Sequence, residues 1–165
     1  MSTLVSIRRA GEEDAESIAN LASELGYPVH PQVMRSRIQA IVASSSDLLI
    51  VAVDSSSTVV GWLQAHAAHI VEFGFRVEIT GLIVSAAFRR RGVGRALVAK
   101  AEHWAKTVSA EAVVARSNAE RVESHSFYPA LGYASTKTQR VYRKPSVHES
   151  NEMGVSASAP RRKNP

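Results

Sequence analysis

A loop rich in arginine and glycine, between an apolar strand and an amphipathic helix, constrains this chain more than any other feature. The strand is Leu82-Ile83-Val84, and after a short link the loop and the first helical turn are Arg89-Arg90-Arg91-Gly92-Val93-Gly94-Arg95-Ala96. The first N–H groups of a helix lack partners within the helix, and the helix dipole makes that end positive. Glycine lets an anion approach the backbone, and arginine adds charge-assisted hydrogen bonds. The segment therefore predicts a phosphate site.

Several classes of protein are disfavoured by what the sequence lacks. The 165 residues fit one compact domain, and no apolar run approaches the roughly 20 residues of a membrane span. The N-terminus has no apolar stretch of signal-peptide length. There is no cysteine, and His66, His69, His103 and His125 show no compact metal-ligand spacing. We expect a cytoplasmic protein with no metal ion and no membrane partner.

Charge is divided unevenly along the chain. Residues 1–70 hold 4 Lys and Arg against 7 Asp and Glu, whereas residues 71–165 hold 16 against 8. The second part should therefore attract an anion. Its basic residues show no zinc-finger spacing, helix-turn-helix or RNA-binding aromatic signature. A phosphate-bearing cofactor explains this charge with fewer assumptions than nucleic acid does, so we expect no nucleic-acid partner.

Hydrophobic periodicity predicts an α+β protein in which strands come first and then alternate with helices. The expected strands are Leu4–Ile7, Leu48–Val53, Val59–Ala65, Arg76–Val84, Ala112–Ala115 and Gln139–Arg143. The expected helices are Glu12–Leu25, Gln32–Ser44, Gly92–Thr107 and Arg121–Leu131. From Pro145 onward the chain is poor in large apolar residues and has no periodicity. We therefore expect a domain at residues 1–144 and a disordered tail at 145–165.

The arginine and glycine loop resembles the acyl-coenzyme A signature of the GNAT acetyltransferase superfamily. That signature is Arg/Gln-x-x-Gly-x-Gly/Ala, and Arg89, Gly92 and Gly94 match it. The resemblance extends over roughly residues 4–144 and includes the block His-x-Phe-Tyr-x-x-Leu-Gly-Tyr that ends at Tyr133. Within the superfamily the chain is most similar to aminoglycoside 6′-N-acetyltransferases, in which a Lys-Thr-x-x-x-x-x-Lys ending also occurs, here Lys137 to Lys144.

This resemblance implies the GNAT fold and its cofactor. The fold has a mixed sheet of six to seven strands flanked by about four helices, and its fourth and fifth strands splay apart to form the acetyl-coenzyme A cleft. The backbone of residues 82–84 would pair with the pantetheine arm, and amides from Arg90 through Ala96 would hold the pyrophosphate. Acetyl-coenzyme A is then the co-substrate, and the likeness also allows a homodimer.

Glu78 and Tyr128 are the catalytic candidates, because direct attack of an amine on a thioester needs a base and an acid but no covalent intermediate. Glu78 lies early in the fourth strand, where a carboxylate of the superfamily often acts, and we expect apolar neighbours around it. The alternatives for Glu78 are a solvent-facing side chain or an ion pair with Arg76; Glu72 is the other carboxylate candidate, as base or acceptor ligand. Tyr128, in the Phe-Tyr block, would protonate the leaving thiolate, unless it is only a packed aromatic.

The predicted activity is transfer of an acetyl group from acetyl-coenzyme A to a primary amine in a ternary complex. The acidic first part would form the acceptor side through the loop at Tyr27 and Pro28, which favours a small cationic acceptor such as an aminoglycoside or a polyamine. Acetylation of a protein or peptide amine is one alternative. A non-catalytic acetyl-coenzyme A binding or sensing module is another.

Overall fold

The computed structural model describes residues 5–118 and 122–145. Its strands are β1 (Ser6–Arg9), β2 (Asp47–Val53), β3 (Val59–Ile70), β4 (Gly74–Val84) and β5 (Ala112–Ala115). Its α-helices are α1 (Ala15–Glu24), α2 (Pro31–Ala43), α3 (Val93–Thr107) and α4 (Val122–Phe127). Short 3-10 turns lie at Glu12–Asp14, Ala86–Phe88 and Pro129–Leu131. The expected order is confirmed through the fourth helix; Leu4 and Arg121, two of the expected end points, lie outside the described residues.

The five strands form one mixed sheet in the order β1-β2-β3-β4-β5. The first four strands pair antiparallel, and β5 pairs parallel to β4. β5 accompanies only the first part of β4, from Arg76 to Ile79. Within the described residues, no strand therefore lies beside β4 from Gly81 to Val84 on the side that faces away from β3.

The strand expected at Gln139–Arg143 is not formed. The chain divides into a compact unit that ends at Ala134 and a second unit, Ser135–Pro165, and residues 135–145 carry neither helix nor strand. Val141 and Tyr142 are 89% and 85% exposed. An alternating pattern becomes a strand only where a neighbour pairs its backbone and covers one face.

The expectation of six to seven strands is therefore wrong for the described residues, which hold five. The predicted disordered tail at 145–165 lies, after Pro145, outside the described residues.

Two hydrophobic cores lie on opposite faces of the sheet. On one face α3 packs Leu97 and Ala101 against Leu63 and Ile79 of the strands, and all four are almost completely buried. On the other face α1 and α2 pack against β2 and β3, with Ile38 at the centre. The sheet is thus covered by helices on both sides. A cavity lies beside the second core, between α1, α2 and the strands.

Asp14, at the end of the 3-10 turn before α1, is the one buried charged side chain among the described residues. Arg8 donates to both of its carboxylate oxygens, at 2.7 and 2.8 Å, and the Gly11 N–H donates at 2.9 Å. Burial alone would raise the pKa of this carboxyl, but the hydrogen bonds and the charge of Arg8 outweigh burial, so the pKa of Asp14 is lowered.

Because its pKa is lower in the folded state, Asp14 stabilises the fold fully above its unfolded-state pKa of about 3.9, and this stability is lost as pH falls through the folded-state pKa. We expect Asp14→Asn to reduce the free energy of unfolding by about 2 kcal/mol at neutral pH. Urea unfolding at pH 7 and pH 3 measures this. Substitution of the exposed neighbour, Glu16→Gln, is the control. If the difference in the free energy of unfolding between Asp14→Asn and the unaltered protein is not smaller at pH 3 than at pH 7, the assignment is wrong.

Candidate active site

A cavity of about 440 Å³ lies between α1, α2 and the central strands. Its volume is within the range of small-molecule sites. The helices and the loop between them supply most of the apolar wall, and β3, β4 and the segment after β5 supply most of the polar groups. The lining residues are Ile18, Ala22, Leu25, Tyr27, Val29, Met34, Arg37, Ile38, Ile41, Leu49, Trp62, Gln64, Thr80, Gly81, Leu82, Arg116, Ser117, Asn118 and Tyr128.

An irregularity in β4 shapes the floor of this cavity. Gln64 pairs with Gly81 and Ala65 pairs with Ile79, so Thr80 is an extra residue in the ladder. A Cβ at Gly81 would lie 2.7 Å from the Trp62 ring, which means that only glycine lets the indole lie across the strand here. The bulge and the glycine together place Trp62, Thr80 and Leu82 at the cavity wall.

Glu78 lies opposite His66 in the β3–β4 ladder and does not line the cavity. Its carboxylate accepts from Arg76 at 3.3 Å and is paired with Arg116, whose guanidinium does line the cavity. The apolar surroundings expected for Glu78 are therefore replaced by two guanidinium groups. The ion pair with Arg76, an alternative that the sequence left open, is present. Glu78 reaches the cavity only through Arg116.

Tyr128 directly follows α4 and lines the cavity. Its ring meets Phe127 and Tyr133 edge-on, at centroid distances of 5.1 and 5.6 Å. Burial raises the pKa of the Tyr128 hydroxyl above its usual value, so the hydroxyl is protonated throughout the neutral and mildly alkaline range. The hydroxyl makes no hydrogen bond to another described residue. A protonated donor at a cavity wall can deliver a proton to a leaving group.

The loop between β4 and α3 makes the anion site expected from the sequence geometrically feasible. Gly92 caps α3 in the left-handed region, at φ 81°, and the first helical bond runs from the Ala96 N–H to the Gly92 carbonyl. The N–H groups of residues 93–95 therefore have no partner within the helix. The buried side chain of Val93 anchors this first turn in the core.

The three arginines of the loop have different surroundings. Arg89 Nε donates to the Val84 carbonyl at 3.1 Å, and the Arg91 guanidinium lies 5.3 Å from the centre of the Phe88 ring. These two side chains brace the turn. Arg90 has a positive φ of 59° and is exposed, so it extends the positive charge into solvent beside the helix N-terminus.

A family model described as the acetyltransferase (GNAT) family matches residues 15–133, which is most of the chain. The chain belongs to the GNAT acetyltransferase family. The resemblance seen in the loop motif is thereby confirmed, and so is the prediction of an acetyl-coenzyme A dependent N-acetyltransferase at the level of the family. A search of curated proteins by sequence finds no significant match.

Several solved structures share the fold of this chain. A protein described as a transcriptional regulator from Bacillus halodurans C-125 is 26% identical, with a TM-score of 0.76 over 85% of this chain and 100% of that one. AAC(6')-Iy, bound to the bisubstrate analogue CoA-S-monomethyl-acetylneamine, is 22% identical, with a TM-score of 0.76 over 87% and 100%. The aminoglycoside 6'-N-acetyltransferase AAC(6')-IG from Acinetobacter haemolyticus is 23% identical, with a TM-score of 0.74 over 86% and 99%. The last two establish a shared fold.

The residues of this GNAT protein fit an acyl-coenzyme A molecule in two places. The N–H groups at the start of α3 converge beside a glycine that has open space around it, since a Cβ at Gly92 would meet nothing within 4 Å. The edge of β4 from Gly81 to Val84 has no neighbouring strand among the described residues. These are the groups that a pyrophosphate and an amide-containing arm would need. Splaying of β4 and β5 stays a prediction.

Glycine is required at position 94, the second glycine of the GNAT motif, because of a packing contact that the motif alone does not reveal. A Cβ there would lie 3.2 Å from the Phe127 ring, so Gly94 lets α3 approach the residue that precedes Tyr128. The turn predicted to bind phosphate and the candidate acid Tyr128 are therefore linked through the ring of Phe127.

We expect Gly92→Ala to weaken coenzyme A binding about tenfold, because alanine is strained at this positive φ and relaxation of the turn moves the first amides of α3. Isothermal calorimetry with coenzyme A measures the effect. Gly26→Ala is the matched control, since Gly26 has φ 84° and equal space around it but lies after α1. Equal losses of affinity in both variants would show that only global stability had changed.

The structure brings some predicted residues to the cavity and leaves others away from it. Tyr27 and Tyr128 both line the cavity, whereas Glu72 lies exposed in the turn between β3 and β4 and is not part of the lining. Arg37 and Arg116 line it and were not predicted. Arg37 is three residues after Met34 and four before Ile41, so helical periodicity would have placed it on the cavity face.

Two further observations concern the described residues only. No group of three or more His, Cys, Asp or Glu side chains in this part of the chain is arranged to hold a metal ion. None of the helices found there combines the length and the apolar character needed to cross a bilayer.

Proposed function

We propose that this chain transfers an acetyl group from acetyl-coenzyme A to the primary amine of a small molecule bound in the 440 Å³ cavity. One observation carries the proposal: the same cavity is lined by Leu82 and by Tyr128. Leu82 belongs to the strand edge that would hold the pantetheine arm, and Tyr128 is the candidate acid. An acceptor in this cavity would thus have its amine next to the thioester. Direct attack in a ternary complex then needs no covalent intermediate.

Each group has a proposed part in the reaction. The amides from Arg90 through Arg95 bind the pyrophosphate, and the backbone of residues 82–84 orients the pantetheine arm. Ala96, which the sequence included in this set, is excluded because its N–H already donates to the Gly92 carbonyl. Glu78 accepts the proton of the acceptor ammonium through a water molecule, since its carboxylate lies behind Arg116 rather than at the cavity wall. Tyr128 donates its proton to the leaving thiolate, because its hydroxyl is protonated at neutral pH and lies at the wall of the cavity that Leu82 also lines.

A small acceptor is favoured over a protein amine by the shape of the site. The cavity is walled on one side by α1 and α2 and on the other by the sheet, and its mostly apolar lining suits a compact molecule. The cationic acceptor expected from the sequence draws support from the aminoglycoside acetyltransferases among the structural neighbours. The charged residues that line this cavity, Arg37 and Arg116, instead favour an acceptor that carries an anionic group.

Thiol release from acetyl-coenzyme A in the presence of a panel of amines tests the proposal. The panel contains aminoglycosides, polyamines, amino acids and short peptides, and calorimetry measures coenzyme A binding in parallel. Acceptor-dependent thiol production is the expected result. Coenzyme A binding without turnover on any amine would instead support the non-catalytic sensing module, and no binding of coenzyme A would contradict both.

A further inference from the structure

The charge of the acceptor cavity is opposite to that expected from the sequence. Its two charged lining residues are Arg37 and Arg116, and no Asp or Glu is among the lining residues of the described chain. The seven acidic residues of positions 1–70 all lie elsewhere. An acidic first part of the sequence therefore does not make an acidic site.

Glu78, the carboxylate that pairs with the lining residue Arg116, does not make the cavity wall acidic. Glu78 is shared between Arg76 and Arg116, so its charge is already engaged by two guanidinium groups. On the same face of the sheet, Asp47 is engaged with His66 at 3.1 Å. At the part of the wall that the structure describes, a molecule with several ammonium groups would therefore meet the charge of Arg37 and find no unpaired carboxylate.

Arg37 differs from Arg116 because its charge is not neutralised. It is exposed on α2, makes no ion pair with another described residue, and lies at the cavity wall beside Met34, Ile38 and Ile41. A guanidinium presents two parallel N–H groups that match a carboxylate or a phosphate oxygen pair. Next to an apolar wall such a contact is only partly screened by water.

From this arrangement we infer that the acceptor is a primary amine that also carries an anionic oxygen group, which Arg37 binds, on a body that fits the apolar wall. The inference rests on the proposed acetyl transfer and names its substrate class. The anionic group is a carboxylate, as in an apolar amino acid, or a phosphate ester. Polycationic amines are poor acceptors because Arg37 repels them and no Asp or Glu is among the described lining residues.

Matched pairs of amines test the inference. L-leucine is compared with 3-methylbutylamine, L-phenylalanine with phenethylamine, and O-phosphoethanolamine with ethanolamine, so that each pair differs only in the anionic group. Tobramycin and spermidine represent polycations. We expect kcat/KM from thiol release to be at least tenfold higher for the anionic member of at least one pair, and the pair that responds distinguishes carboxylate from phosphate.

Arg37→Gln should bring the ratio within the responding pair close to one, mainly by raising KM for the anionic member. Arg35→Gln is the matched control, because Arg35 is an exposed arginine on the same helix that does not line the cavity. It should leave the ratio within about twofold. Neutral or polycationic amines that react better than every anionic amine, or a ratio unchanged in Arg37→Gln, would overturn the inference.

Calorimetric binding of the same pairs in the presence of coenzyme A separates this inference from the proposed function. If no amine releases thiol, acetyl transfer fails, yet tighter binding of anionic members that depends on Arg37 would still support the recognition argued here. If every anionic amine binds no better than its neutral partner, the inference is overturned even when some amine is acetylated.

Discussion

Replacing Tyr128 with phenylalanine is expected to lower kcat by about a hundredfold to a thousandfold, because the thiolate then leaves without a positioned proton donor. The substitution removes only the hydroxyl oxygen, so the edge-on contacts of the ring with Phe127 and Tyr133 are kept. Coenzyme A affinity should therefore change little. Steady-state thiol release together with calorimetry measures both quantities, and the loss should appear in kcat rather than in KM.

The control for this variant is Tyr142→Phe, in which an almost fully exposed hydroxyl is removed. Its activity should equal that of the unaltered protein. The pH profile of kcat adds an independent test. Because burial raises the pKa of Tyr128, kcat should fall only at or above the pH that matches the usual pKa of tyrosine. This fall should be absent in Tyr128→Phe. Full activity of the phenylalanine variant would reduce Tyr128 to a packing residue.

The parts of the fold that follow from local sequence were predicted best. The turn before α3 was identified because glycines at a strand-to-helix junction have few other uses, and Gly92 does adopt a backbone conformation that favours glycine. β5, at Ala112–Ala115, was predicted with its observed limits because an apolar run bounded by polar residues marks a strand. Gly94 was identified for the same motif, but its contact with Phe127 depends on packing between distant segments.

Features that depend on distant contacts were not predicted. The segment around Val141 and Tyr142 has the alternation of a strand, but a strand also needs a neighbour, and pairing is a property of the fold. The surroundings of Glu78 could not be derived because Arg116 is 38 residues away along the chain. The charge of the acceptor side was misjudged for a related reason: counting residues 1–70 gives a net negative charge, but the cavity wall takes Arg37 from that segment and none of its carboxylates.

Glu78→Gln is the second substitution with a large expected effect, a decrease in kcat of about a hundredfold at neutral pH. Glutamine keeps the size of the side chain but cannot accept the proton of the acceptor ammonium. Because that proton is already lost at high pH, activity of the variant should recover as pH rises toward the pKa of the acceptor amine. A pH profile of kcat from pH 6 to 10 measures this recovery.

Glu72→Gln decides between the two carboxylates that the sequence proposed. Glu72 is exposed and lies outside the cavity lining, so we expect its variant to keep the activity and pH profile of the unaltered protein.

Loss of the ion pairs with Arg76 and Arg116 could also lower activity in Glu78→Gln by releasing Arg116 into the cavity. That structural effect would change KM for the acceptor and would not be relieved at high pH, so a defect that persists at pH 10 would assign Glu78 to positioning Arg116 rather than to proton transfer.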